Sequence, residues 1–140
     1  MSTAGFRQLR HTADIYLEAY GQTLEQAFEQ AGLALFRTLI PEAEGAEKTV
    51  RVEASGADLH ELLYDWLEKL LHVFELSQLV GTEVRVFKIS RNSVYTLEGE
   101  VVGVQYSREK HRTGTAVKSP TYALMEVDTE KNIVRFVLDI

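Results

Sequence analysis

Cysteine is missing from the sequence altogether. Its absence excludes thiolate catalysis, cysteine-ligated zinc and a disulfide scaffold together, and is compatible with a reducing compartment. No window approaches the ~18 apolar residues that a membrane-spanning helix needs, and the opening MSTAGFRQLRHTAD lacks the apolar run of a secretory leader. The expectation is a cytoplasmic protein without a membrane partner. Basic charge is in short supply: 15 Lys and Arg stand against 21 Asp and Glu, a formal net charge of −6, so the molecule as a whole repels a phosphate backbone. The nine glycines never fall into G-x-x-x-x-G-K or G-x-G-x-x-G, so no phosphate-cradling loop is expected. No Ser, His and Asp are spaced as a nucleophilic triad. Repeats, low-complexity tracts and linkers are likewise missing.

What remains is ordinary globular material. At 140 residues, 45% hydrophobic and 26% charged, the chain suits a single domain, 1–140, able to bury a core without a staple. From Asp14 the pattern alternates, with Ile15, Leu17 and Ala19 on one strand face and Asp14, Tyr16, Glu18 and Tyr20 on the other. Thr23 and Gln26 have capping-box spacing before a helix that Pro41 stops, with Leu24, Ala27, Phe28, Ala31, Leu35 and Leu39 at helical intervals. Residues 48–55 alternate as a short strand. Asp58 and Glu61 repeat the capping box ahead of a second helix striped with Leu59, Leu62, Leu63, Trp66, Leu67, Leu70 and Phe74. Strands are expected at 83–90, 94–107, 116–128 and 133–140, with Gly99 and Gly103 marking bulges or close backbone approach. Pro120 cannot donate to a ladder, so its strand belongs at an edge or a bulge. The order predicts an α+β fold, a mostly antiparallel sheet with two amphipathic helices packed on one face.

Chemistry-bearing candidates are few. Asp14, three residues after His11, and Asp139, next to Ile140, are acids where strand packing would not ask for them. Should the first and last strands run side by side, Asp14, Asp139, a carboxylate at Ile140 and His11 converge as ligands for a hard cation. By local pattern alone they are equally surface acids at strand ends and a hydrogen-bonded histidine. Asp65 and Glu68 form a second carboxylate pair, on a helix face that first reads as solvated. The segment SREKHRTGTAVK, 107–118, is locally basic, either a solvated hairpin loop or a patch for phosphate.

Four stretches, HTADIYLEAYGQTLEQAFEQAGLALF (11–36), ADLHELLYDWLEKLLHVFE (57–75), VKSPTYALMEV (117–127) and VRFVLDI (134–140), resemble in order and spacing the archease family, over essentially the whole chain. The resemblance implies a non-catalytic accessory protein of the tRNA-splicing RNA ligase, which joins cyclic-phosphate or 3′-phosphate ends to 5′-hydroxyl ends with GTP and Mn²⁺. Such a protein promotes guanylylation of the ligase and its multiple turnover, and meets RNA through the ligase. It also implies a divalent metal site (Ca²⁺, Mg²⁺ or Mn²⁺) made by Asp14, Asp139 and the Ile140 carboxylate, with His11 as ligand or support, and a contact from Lys118 to the ligase, its nucleotide or a phosphate. The chain departs from the family pattern V-K-A-x-T-Y-H, carrying Ala123 in place of the histidine and Pro120 two residues after Lys118. Two rival readings stay open: a metal-dependent phosphoesterase using the same cluster with His11 as acid, and a metal-free interaction adaptor. Oligomeric state is open, since strand edges can pair between copies.

Overall fold

A computed structural model describes residues 3–10 and 14–140. Both helices start at the expected caps. Thr23 precedes α1 (Leu24–Leu39) and accepts the Gln26 N–H at 3.1 Å; Asp58 precedes α2 (Leu59–Ser77) and accepts the Glu61 N–H at 2.8 Å. In a capping box the returning side chain takes the cap residue's own N–H. Here Gln26 Oε1 takes that of Gln22 (2.7 Å) and Glu61 Oε1 that of Ala57 (3.1 Å). The reciprocal bond therefore lands one residue earlier and also fixes the incoming chain.

Every strand pairing is antiparallel. β3 (Lys48–Gly56), β4 (Leu79–Arg91) and β5 (Tyr95–Gln105) form one sheet in the order β3-β5-β4. β1 (Gly5–Leu9), β2 (Ile15–Tyr20), β8 (Ile133–Asp139) and β6 (Ser119–Pro120) form another in that order, with β7 (Glu126–Asp128) also paired to β8. The α+β class, the antiparallel pairing and the two packed amphipathic helices agree with the sequence pattern; the division of the strands into two sheets is new. α1 packs on β4 and β2, and α2 packs on β3 and β5 with contacts to β6 and β7, so each helix touches both sheets.

The 107–118 segment explains the division. It is no hairpin loop: the N–H groups of Gly114 and Thr115 donate at 2.8 Å to the carbonyls of Leu39 and Thr38, satisfying the free C-terminal carbonyls of α1. The chain is thereby carried from β5 to β6, out of one sheet and into the other. His111 accepts the Ser107 N–H through Nδ1 at 3.0 Å and stacks on Tyr106, so part of this basic segment is internally engaged.

Trp66, Phe28, Phe36 and Phe136 are fully buried, each contributing about 1.5–3 kcal/mol by removal from water. Trp66 Nε1 donates to the Phe28 carbonyl at 3.0 Å, joining α2 to α1. The close approach expected at Gly99 and Gly103 is present: a Cβ there would stand 2.4 Å from the Arg85 carbonyl oxygen and 2.1 Å from that of Val80. Opposite them, β4 shifts register near Val86 and Gly81. Two strand expectations need correction. β1 was not anticipated, and 116–128 is not one strand but β6, a turn in which the Met125 N–H meets the Tyr122 carbonyl, and β7. Pro120 sits in the two-residue β6, paired only to β8, the edge position its missing N–H requires.

Candidate functional site

The β2–β8 ladder runs from Ile15 opposite Leu138 to Tyr20 opposite Ile133. Continuing that register by one residue brings Asp14 to Asp139. On the other side of β8, Ser119 pairs with Asp139, and the Lys118 N–H donates to the Asp139 carbonyl at 2.7 Å. The Lys118 main chain thus lies against Asp139, while Asp14 directly precedes the first residue of the β2–β8 ladder. Both aspartates are half-buried, Lys118 is exposed, and Ile140 is 37% exposed. His11 lies outside the described residues.

Directly opposed residues of an antiparallel pair have Cβ atoms about 4.5–5.5 Å apart, and like charges there are destabilising. Among the described residues neither aspartate has an ion pair with lysine or arginine, and no group of three or more His, Asp or Glu side chains stands within metal-holding reach. Two carboxylates form an all-oxygen donor set, which fits Ca²⁺, Mg²⁺ or Mn²⁺ better than a soft metal. Two carboxylates alone fall short of the about six to eight oxygens that a hard cation takes.

Four residues along the same strands the chemistry is reversed. Glu18, only 5% exposed, receives Arg7 Nε on Oε1 and Arg135 Nε on Oε2, each at 2.8 Å, and Arg135 also reaches Glu126 at 2.5 Å. The pairs follow the ladder across β1, β2, β8 and β7. Burial pushes the Glu18 carboxyl up, but the two guanidinium groups outweigh it and hold it below its ordinary value. Hydrogen bonds to Glu126 and Glu18 raise Arg135. Sequence reasoning missed this row. Alternation put Glu18 on the face of Asp14, but only the pairing of β2 with β8 shows Arg135 beside it.

The other candidates are placed differently. Asp65 Oδ2 accepts the Ser55 N–H (2.9 Å) and Lys69 Nζ (3.1 Å), and Lys69 also reaches the Glu53 carbonyl. Asp65 thus fastens α2 to β3.

A sequence profile of the Archease protein family (MTH1598/TM1083) matches residues 6–140. Protein archease of Sulfolobus acidocaldarius is 39% identical over 138 residues, covering 96% of this chain and 98% of that one. The solution structure of Methanobacterium thermoautotrophicum protein 1598 superposes with a TM-score of 0.80 at 33% identity, over 97% of this chain and 99% of that one. A Thermotoga maritima crystal structure, described as an archease and possible chaperone, shares the fold with a TM-score of 0.52 at 16% identity, over 96% of both chains.

Proposed function

The chain belongs to the archease family, and from that premise we propose that it is a non-catalytic accessory factor of the GTP-dependent tRNA-splicing RNA ligase, promoting ligase guanylylation and repeated turnover. The observation that supports this reading is the β2–β8 ladder, whose end pair, Ile15 opposite Leu138, is flanked in sequence by Asp14 and Asp139. Two neighbouring carboxylates cost repulsion and desolvation unless a cation or a proton neutralises them. Asp14, Asp139 and a carboxylate at Ile140 would hold a divalent ion, with His11 as a ligand or support. A bound ion supplies charge neutralisation and coordination positions that a phosphate, a nucleotide or a ligase carboxylate can enter.

The residues around the pair do the rest. Asp139 ends β8, Asp14 directly precedes β2, and the Lys118 main-chain bond ties the start of β6 to Asp139. Lys118 is exposed and forms no ion pair among the described residues, leaving its ammonium able to meet an incoming phosphate or the ligase. RNA is met through the ligase, since a net charge of −6 opposes direct tight binding.

The test is the rate of ligase–GMP formation with and without this protein. The parent accelerates it and shows no ligation alone, while Asp14→Ala and Asp139→Ala each lose about tenfold or more of the acceleration, equivalent to about 1.4 kcal/mol of barrier. Full stimulation by both variants would show that the acidic pair is not the working part.

A further inference from the structure

Beyond the acidic strand end, the turn between β6 and β7 exposes apolar surface. Tyr122 and Leu124 are 53% and 54% exposed. The Tyr122 ring stacks on Tyr64 of α2, with centroids 4.5 Å apart and planes 11° from parallel. Leu124 has φ +53, a left-handed conformation that asparagine or glycine adopts at less cost. An isobutyl group more than half exposed on a left-handed backbone adds little to the core and is open to a partner.

The surroundings are mostly acidic, with Lys69 already paired to Asp65. No lysine or arginine occurs in residues 52–68 or in 119–130, the two stretches that supply the tyrosine stack. Asp58 caps α2, and Glu61 and Asp65 lie on its first two turns beside Tyr64. The Tyr122 hydroxyl is pushed up by partial burial and then by the charges of Glu61, Asp58 and Asp65, which places those carboxylates within electrostatic reach of it. An open groove of about 550 Å³ is bordered by His60, Met125, Glu126, Asp128 and Glu130. Lys131 and Arg135 line it too, the latter already bound to Glu18 and Glu126.

We propose that Tyr122, Leu124 and Tyr64 form a docking surface for a basic protein segment, which lays an apolar side chain on Leu124 and an arginine or lysine against the Tyr122 ring among the carboxylates of α2. Aromatic faces attract cations, and the acidic rim strengthens that attraction. A stacked tyrosine pair also suits nucleobases, but a phosphate backbone is repelled by this rim. A second copy would bring the same acids against themselves. The surface does not depend on a metal at Asp14 and Asp139.

The experiment is an amide-resolved NMR titration of the whole chain with the peptide acetyl-Leu-Arg-Leu-Arg-amide, its glutamate counterpart and oligothymidylate. The arginine peptide should give saturable shifts at residues 58–65 and 121–126. Its affinity should fall by about tenfold in Tyr122→Ser and in Leu124→Asn. Asparagine tolerates the left-handed backbone, so the second variant keeps the fold while removing the apolar contact. The glutamate peptide should leave these amides unmoved. Shifts elsewhere or none, equal response to both peptides, unchanged affinity in Leu124→Asn, oligothymidylate binding at these residues, or dimerisation through them would each overturn the proposal.

Discussion

Strands β2 and β8 carry acids at two places, and the two are treated in opposite ways. At Glu18 the ladder puts arginines on both sides, from β1 and from β8. At the end of the same ladder Asp14 and Asp139 flank the last pair, Ile15 opposite Leu138, with no such compensation among the described residues. The first arrangement is complete within the chain, since each Glu18 oxygen has a donor. The second has no such donors among the described residues, and under the proposed function its partner comes from outside the chain. The comparison separates a carboxylate that holds the sheet together from carboxylates to which the proposed function gives a partner.

Removing the compensated acid should have the larger effect on folding. Glu18→Ala leaves Arg135 half-buried with only Glu126 and opens the row joining four strands; the exposure of Arg7 softens the loss. Urea unfolding should show a decrease of about 2 kcal/mol, whereas Asp14→Ala measured without divalent ions should show none.

Acidification should distinguish the acids by sign. Glu18 sits below its ordinary value, so its stabilisation is complete above the carboxylate range and is lost as pH falls through the lowered folded value. Glu29 is raised by burial, only partly offset by the Val86 N–H. Its contribution is present below the ordinary value and is lost as pH rises through the raised one. Unfolding curves between about pH 7 and about pH 3 should show a smaller acid-side loss for Glu18→Gln than for the parent, and a gain near neutrality for Glu29→Gln, whose amide oxygen can still accept from Val86.

The smallest effect runs the other way. In metal-free buffer Asp14→Asn should stabilise the protein by about 0.5 kcal/mol through relief of cross-strand repulsion, seen as a raised melting temperature. Glu18→Gln should lower it under the same conditions.

Local chemistry was legible before the structure. Thr23 and Asp58 capped the helices as their spacing indicated, the Trp66 stripe lies in the core, and Gly99 and Gly103 mark where β5 and β4 approach. What local pattern could not show was which strand lies beside which. The short GFRQL carries no clean alternation, so β1 was missed, and Arg7 and Arg135 are far from Glu18 in the chain, so their row emerged only with the register. The turn in 121–125 broke an expected strand because Leu124 takes a left-handed conformation that its sequence does not advertise. Nearness of Asp14 and Asp139 rests on family resemblance; the β2–β8 pairing shows that the strands beside them are neighbours.

Calorimetric titration with Mn²⁺, Ca²⁺ and Mg²⁺ tests the central claim most directly. The parent should bind one divalent ion per chain, and Asp14→Ala and Asp139→Ala should each abolish that binding while Glu18→Gln retains it. No stoichiometric binding by the parent, or undiminished binding by the two aspartate variants, would contradict the account.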